Sequence, residues 1–407
     1  MNEARKAKGR LLLTDEKGKP LSGMRFQICQ TEHDFLFGCG AFDVIPYANG
    51  KQQEEFYAGR VRKWLDLYNY GTLPFYWGRF EPEEGAPATE SLMKTARFLQ
   101  DKKVTVKGHP LCWHTVCADW LMKYDNKTIL DKQLARIGRE VSDFRGIIDL
   151  WDVINEVVIM PVFDRYDNAV TRICRELGRV KLVKEVFAAA EKANPDAVLL
   201  INDFNLSDDY AQLIDECLMA GVPIGAIGLQ THQHQGYMGT EKLAEILHRF
   251  EKFGLPLHFT ENTLVSGHLM PPEIVDLNDY QIPDWPTTSE GEERQAQQME
   301  EMYRFLFRHP LVQAITGWDF SDGAWLGAPS GVIRKDNSAK PAYAMLQKLF
   351  HEEWHTAGEI RTDEKGMVEV SGYKGKYNIT GGSFAGGFEL HDTSEEPVRL
   401  SLKSISA

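Results

Sequence analysis

Eight short apolar segments, separated by stretches with helical periodicity, constrain the fold of this 407-residue chain more than any other feature. Several of them are apolar almost throughout, as expected of strands buried on both faces. The intervening stretches place apolar residues three or four positions apart; residues 172–193, ahead of Asn194 and Pro195, predict one continuous helix. The predicted strands are residues 35–40, 67–73, 104–111, 147–155, 197–203, 226–232, 256–261 and 313–320.

Strands that alternate with helices predict right-handed βαβ units and a parallel sheet. Eight such units are the number found in a (β/α)₈ TIM barrel. The structural alternative is a doubly wound open sheet. No Gly-rich phosphate loop follows the first predicted strand, so the barrel is favoured.

The two ends of the chain depart from this repeat. Residues 1–34 predict two strands around the turn sequence DEKGKP, and residues 353–407 are rich in Gly and short alternating runs. We expect both segments to form one small β module packed on a catalytic barrel of residues 35–352. The module would be a structural cap or, alternatively, a carbohydrate-binding module.

The composition of the chain argues against two classes of binding partner, nucleic acids and membranes. The chain carries 46 basic and 59 acidic residues, a net charge of −13, and has no Lys/Arg cluster, which argues against nucleic acid. No stretch approaches the roughly 20 apolar residues of a membrane span, so no membrane association is expected. The amino terminus lacks a signal-peptide pattern, which predicts a cytoplasmic location, or a secreted one if a leader has been removed. The six scattered Cys fit reduced thiols.

Polar residues recur where the predicted strands end, the edge that carries the chemistry in a (β/α)₈ barrel. A lone Asp or Asn there would simply cap the next helix. Clusters at six strand ends indicate a shared ligand, because an unpaired buried polar group costs about 1–3 kcal/mol. The clusters are Lys107 to His109 with Trp113 and His114, Asn155-Glu156, Asn202-Asp203, Gln230 to His232 with His234, Glu261, and Trp318-Asp319 with Asp322 and Trp325.

Two carboxylates on different strands, Glu156 and Glu261, are the minimum equipment for glycoside cleavage. One protonates the leaving oxygen, and the other attacks the anomeric carbon or activates a water that does so. The nearby His, Asn, Gln and Trp side chains would bind hydroxyls and stack on sugar rings. A zinc site at His109, Cys112, His114 and Cys117 is an alternative, but this spacing does not match the usual ligand patterns.

Six motifs in order resemble glycoside hydrolase family 10, the retaining endo-β-1,4-xylanase family. The resemblance runs from about residue 35 to 350 and is specific because all the motifs occur together. They are VKGHPLCWH (106–114), WDVINEV (151–157), LLINDFN (199–205), IGLQTHQH (227–234), LHFTEN (257–262) and ITGWDFSDGAWL followed by KPAY (315–343).

The resemblance implies a role for each matching residue. Glu156 would be the general acid/base and Glu261 the nucleophile, with carboxyl groups about 5–5.5 Å apart. Asn155 would contact the sugar 2-hydroxyl, Gln230 would lie near the acid/base, and His232 would hydrogen-bond the nucleophile. His109, Trp113 and His114 would line the sugar subsite beside the cleaved bond, walled by Trp318 and Trp325. No metal or organic cofactor is expected.

Two departures from the family pattern stand out. Relatives carry Asp two positions after the nucleophile, where this chain has Thr263, so His232 should be less favoured as a cation and the pH profile should shift. Relatives also carry Glu-Asn-x-x-Lys-Trp where this chain has TLPFYW (72–77), so Leu73 and Tyr76 replace sugar-binding Asn and Lys. The long segment 265–293 is expected to reshape the cleft.

The expected function is hydrolysis of β-1,4-xylosidic bonds in xylan or xylo-oligosaccharides by double displacement. A hydrolase of another β-glycan or β-glycoside on the same scaffold remains an alternative. A non-catalytic carbohydrate-binding protein is a further alternative from a different functional class.

Overall fold

The computed structural model describes residues 3–405, which divide into two compact units. One unit comprises Met1–Leu36, Phe307–Pro310 and Ala344–Ala407, and the other comprises Phe37–Leu306 and Leu311–Tyr343. The strands are β1 (Lys6–Thr14), β2 (Arg25–His33), β3 (Leu36–Gly40), β4 (Tyr70–Pro74), β5 (Thr105–His109), β6 (Leu150–Asn155), β7 (Val198–Asp203), β8 (Ala226–Gln233), β9 (Leu257–Leu264), β10 (Val312–Gly317), β11 (Ala357–Arg361), β12 (Met367–Tyr373), β13 (Gly375–Gly381), β14 (Phe384–Leu390), β15 (Pro397–Ser401) and β16 (Lys403–Ser404).

Strands β3 to β10 close into a barrel in the order β10-β3-β4-β5-β6-β7-β8-β9, and their neighbours run parallel. Each barrel strand overlaps one of the eight apolar segments, which confirms the predicted (β/α)₈ fold. The helices are α1 (Val44–Ala48), α2 (Glu55–Leu67), α3 (Trp77–Phe80), α4 (Thr89–Asp101), α5 (Asn126–Asp143), α6 (Ala169–Leu177), α7 (Arg179–Ala193), α8 (Asp208–Met219), α9 (Gly239–Glu251), α10 (Ser289–Phe307) and α11 (Pro341–Lys348).

The prediction of one continuous helix over residues 172–193 is wrong. The segment forms two helices, α6 and α7, separated by Gly178. Gly178 has a φ of 80°, in the left-handed region that glycine adopts without a steric penalty and that ends helices. The apolar periodicity continues across this break, which is why the pattern alone did not show it.

The terminal unit contains two sheets. In the sheet ordered β12-β1-β15, β1 runs antiparallel to β12 and parallel to β15, whereas neighbouring strands in the sheet ordered β11-β2-β13-β14-β16 are antiparallel. The module formed from both chain ends is therefore present as predicted, although β1 and β2 lie in different sheets and do not form a hairpin. The aromatic side chains within residues 3–34 and 353–405 are buried or partly buried, among them Phe26, Tyr377 and Phe388. They include no fully exposed Phe, Trp or Tyr ring within those ranges, and both the structural cap and the carbohydrate-binding module remain predictions.

Within residues 3–405, no helix is both long and apolar enough to cross a bilayer.

Candidate active site

The ten side chains singled out in the sequence all lie in the barrel unit, at or beyond the carboxyl ends of β5, β6, β8, β9 and β10. Parallel strands of a closed barrel end at one rim, so residues far apart in sequence meet there. Most of the ten are buried. Charged and polar groups at this depth need partners, and those partners define the site.

Glu261 is aimed into the site by an irregularity in β9. Phe259 pairs with Leu229 of β8, yet Glu261 pairs with the next residue, Gln230, so the register slips by one residue at Thr260. Bulges of this kind commonly re-aim a side chain beside an active site. The carboxylate is only 4% exposed, and it accepts a hydrogen bond from Asn202 Nδ2 at 2.9 Å. Its other oxygen, Oε2, lies 3.1 Å from Nε2 of His232.

Glu156 follows β6, where a second register slip relative to β7 occurs between Asp152 and Ile154. Its φ of 55° places a non-glycine residue in the left-handed region, a costly conformation that surrounding contacts must hold. The Glu156 N–H donates to the Asn202 carbonyl at 2.8 Å. Trp113 Nε1 donates to one carboxylate oxygen at 2.8 Å, and Gln230 Nε2 approaches the other at 3.3 Å.

A chain of side-chain amides links the two carboxylates. Asn155 Oδ1 accepts from Asn202 Nδ2 at 2.7 Å and from Gln230 Nε2 at 3.1 Å. Asn202 therefore contacts Asn155 and Glu261, whereas Gln230 contacts Asn155 and Glu156. Asn202 was noted at a strand end but not assigned to the site, because a strand-end Asn reads equally well as a helix cap.

Glycine makes room for this amide chain. A Cβ atom on Gly228 would lie 2.3 Å from Oδ1 of Asn202, closer than any real contact. The Asn202 side chain is further fixed by Thr260, whose hydroxyl donates to its Oδ1 at 2.7 Å. The bulge at Thr260 thus serves two purposes: it aims Glu261 and it orients the amide that Glu261 accepts from.

The different surroundings of Glu156 and Glu261 give the two carboxyl groups different pKa values. Removal from water, reinforced by the negative charge of Glu261, raises the pKa of Glu156 to about 8, against the opposing hydrogen bond from Trp113. Burial alone would raise the pKa of Glu261 as well, but attraction to His109 and then to His232 outweighs burial and holds its pKa below the ordinary value. Near neutral pH, Glu156 is protonated and Glu261 is ionised.

A buried ion pair between Lys107 and Asp152 fixes the orientation of the His109 ring. Lys107 Nζ lies 2.6 Å from Asp152 Oδ2, and the same oxygen lies 2.7 Å from His109 Nδ1. The other ring nitrogen, Nε2, then faces Glu261 Oε1 at 3.9 Å. Asp152 was missed in the sequence, although a charge inside the otherwise apolar run of β6 was the signal that could have found it.

Aromatic rings wall the space beside the carboxylates. The Trp318 ring centroid lies 5.4 Å from that of His109, and the Trp325 ring lies 4.5 Å from that of His232. Asp319 stabilises this wall by accepting a hydrogen bond from the backbone N–H of Trp325 at 3.2 Å. The centroid of the Tyr76 ring lies 5.7 Å from that of His109.

The His114 ring packs against two other aromatic rings. Its ring contacts Phe163 at a centroid distance of 4.4 Å and Trp113 at 6.1 Å, and it is 1% exposed. Burial lowers the pKa of His114 to about 4, so the ring is neutral near pH 7. The structure therefore brings His114 to the site as a neighbour of Trp113.

The two departures from the family pattern also have defined places. Thr263 Oγ1 lies 3.4 Å from His232 Nδ1 and 3.1 Å from His234 Nδ1, so it stands between two imidazoles. Leu73 is fully buried and offers nothing to a ligand. Tyr76, in contrast, is partly exposed and presents its ring between His109 and Trp113.

The alternative zinc ligands do not converge. His109 is committed to Asp152, and Cys112 is wholly buried, which raises the pKa of its thiol well above the ordinary value. Among residues 3–405, no group of three or more His, Cys, Asp or Glu side chains is arranged to hold a metal ion.

A known protein family and several of its members resemble this chain. The model of Glycosyl hydrolase family 10 matches residues 75–349. Endo-1,4-beta-xylanase B of Thermotoga neapolitana is 26% identical over 294 residues, covering 68% of this chain and 78% of that protein. An endo-1,4-beta-xylanase/feruloyl esterase of Xylanibacter ruminicola is 24% identical over 306 residues, and the match spans 67% of this chain but only 40% of that longer protein.

A solved structure shares the fold. Native xylanase 10B from Thermotoga maritima superimposes with a TM-score of 0.63 at 21% identity, covering 79% of this chain and 96% of that one. The matched family region contains every residue of the site described above. This chain belongs to glycosyl hydrolase family 10 and is a glycoside hydrolase.

Proposed function

We propose that the protein is a retaining hydrolase that cleaves β-1,4-xylosidic bonds in xylan or xylo-oligosaccharides by double displacement. One observation carries the proposal: two carboxylates at one barrel rim have opposite acidities. Glu156 has its pKa raised to about 8, while Glu261 has its pKa held below the ordinary value. An acid that keeps its proton beside a carboxylate that has lost one is what this reaction requires.

In the first step, an oxygen of Glu261 attacks the anomeric carbon of the bound sugar. Glu156 donates its proton to the glycosidic oxygen, so the leaving sugar departs as a neutral alcohol. The result is a covalent glycosyl-enzyme at Glu261. In this scheme Asn155, whose Oδ1 accepts hydrogen bonds from Asn202 and Gln230, hydrogen-bonds the sugar next to the breaking bond.

In the second step, a water molecule attacks the anomeric carbon from the side that the leaving sugar vacated. Glu156, now ionised, accepts a proton from that water, and the bond to Glu261 breaks. Forming the glycosyl-enzyme neutralises Glu261, whose charge helps to raise the pKa of Glu156. The pKa of Glu156 therefore falls, so the carboxyl group that has just given up its proton stays ionised and is available to accept a proton from the water.

The xylan class of substrate is supported by the named relatives, which are xylanases at 24–26% identity. A family-10-like hydrolase of another β-glycan is the second candidate. The observation that favours it is the pair Leu73 and Tyr76: the first is fully buried and the second presents an aromatic ring. Neither side chain can reproduce the amide and ammonium donors found at these positions in relatives.

A mechanism-based inhibitor tests the proposal. A 2-deoxy-2-fluoro xylobioside with a good leaving group should inactivate the enzyme and add one glycosyl mass to the peptide that contains Glu261. A substrate panel of xylan, xylo-oligosaccharides, cellobiosides and β-glucan would separate the two candidates by kcat/KM. Labelling of another residue would contradict the nucleophile assignment. Sugar binding without turnover of any β-glycoside would indicate a non-catalytic binding protein.

A further inference from the structure

Two loops that follow the strands carrying the catalytic carboxylates are joined by ion pairs. Residues 157–168 follow Glu156 and are called the β6 arm here, and residues 265–288 follow β9 and are called the β9 arm. Arg165 of the β6 arm grips Asp279 of the β9 arm with two hydrogen bonds, of 2.8 Å and 2.5 Å. Its Nε lies 3.1 Å from Asp276. The paired fork of a guanidinium on a carboxylate is the most directional of ion pairs.

The β9 arm is held in place and has its own small core. Val265, Met270 and Trp285 cluster with Ala328. The Met270 N–H donates to the His234 carbonyl at 2.9 Å, and Gln235 Nε2 donates to the Ile274 carbonyl at 2.8 Å. A long loop that packs on its own side chains and is tied down at several points is a compact structural element.

The β6 arm is tied down as firmly from its other side. Arg175 donates to the carbonyls of Pro161 and Phe163, at 2.8 and 2.7 Å. Arg179 Nη2 donates to the Val158 carbonyl at 2.6 Å. The ion pairs therefore join two arms that are each anchored to the barrel unit.

The position of this bridge follows from the strand order. Strands β6 and β9 are separated by β7 and β8 on one side and by β5, β4, β3 and β10 on the other. Tyr76, His109 and Trp318 belong to that second side. The bridge therefore joins loops that flank the ends of β7 and β8, on the side of the two carboxylates away from those rings.

We propose that Arg165, Asp276 and Asp279 determine substrate specificity by closing the leaving-group side of the cleft above the bound chain. A closed passage must be entered by a chain end, so short unbranched oligosaccharides enter and side-chain-bearing polymers are excluded. This inference rests on the proposed function, because it concerns the leaving-group side of that reaction.

The test compares a branched polymer with a short unbranched substrate whose leaving group is a small aryl group. The ratio of kcat/KM on arabinoxylan to kcat/KM on an aryl xylobioside is measured for the wild type, Arg165→Ala and the double variant Asp276→Asn/Asp279→Asn. Both variants should raise this ratio by about tenfold or more, the scale on which pocket contacts discriminate between substrates. The charge swap Arg165→Asp with Asp279→Arg should return the ratio toward the wild-type value.

Arg145→Ala is the matched control. Arg145 forms an exposed ion pair with Asp196 at 2.8 Å, and both residues precede barrel strands, at the opposite rim. This variant should leave the ratio unchanged. An unchanged ratio in both bridge variants, with the aryl xylobioside still cleaved, would overturn the bridge proposal alone. A wild type that cleaves neither xyloside would overturn the proposed function and the bridge proposal with it.

Discussion

Glu156 and Glu261 end parallel strands of the same barrel, yet their surroundings differ. Glu261 faces two imidazoles and an amide donor, and those positive or donor groups overcome the effect of burial. Glu156 is held by one indole and one amide, and the largest effect of a neighbouring charge on its pKa comes from the negative Glu261. The same residue type thus becomes an acid at one strand end and an anion at the other because of its neighbours.

The largest expected effect comes from removing the carboxylates one at a time. Glu261→Ala should reduce kcat by about 10⁴-fold or more on every substrate, because no group remains to attack the sugar. Glu156→Ala should cost about 10²–10⁴-fold on xylan but far less on aryl xylosides, whose leaving groups need little protonation. Steady-state kinetics on both substrates checks this contrast. Equal losses on the two substrates in Glu156→Ala would contradict its role as the acid.

The second largest expected effect comes from disrupting the amide chain that links the carboxylates. Asn202→Ala removes the donor to Glu261 and frees Asn155, and kcat should fall by about 10²–10³-fold with little change in KM. Asn205→Ala is the control, since Asn205 accepts hydrogen bonds from Ser207 outside the site. A loss that appears in KM alone would point to substrate binding and away from orientation of the nucleophile.

The pH dependence of activity tests the difference in pKa between Glu156 and Glu261. Activity requires Glu156 with its proton and Glu261 without one, so kcat/KM should fall above about pH 8 and below the lowered pKa of Glu261. Trp113→Phe removes the N–H that lowers the pKa of Glu156, so the alkaline limb should move to higher pH. Trp120→Phe, whose indole donates to the Glu81 carbonyl, should leave the limb in place. An alkaline limb that moves downward in Trp113→Phe would contradict this account.

The smallest expected effect is at Thr263. A carboxylate in Thr263→Asp would favour the cationic ring of His232 and strengthen its attraction to Glu261, so the acid limb should move to lower pH by a modest amount. Thr263→Ser keeps the hydroxyl between His232 and His234 and should keep the profile. An unchanged acid limb in Thr263→Asp would show that position 263 has no influence on the nucleophile.

Residues whose chemistry is unusual for their place in a strand could be found without a structure. The apolar run that ends in Glu261 and the polar clusters at successive strand ends fix the barrel, its active rim and the two carboxylates. Asn202 and Asp152 were not predicted as site residues, because their roles depend on contacts with residues of other strands. Strand periodicity carries no information on which side chains face each other across a barrel.

The sequence by itself determined the eight-unit repeat, the pairing of the two chain ends into a β module and the identity of the candidate site residues. Apolar periodicity and polar strand ends are local patterns, and local patterns survive in a linear sequence. Only the tertiary structure decided the one-residue slips in β6 and β9, the left-handed turn at Glu156 and the Arg165 bridge. Each of these involves a partner at least 30 positions away in the sequence, and such contacts arise only when the chain closes on itself.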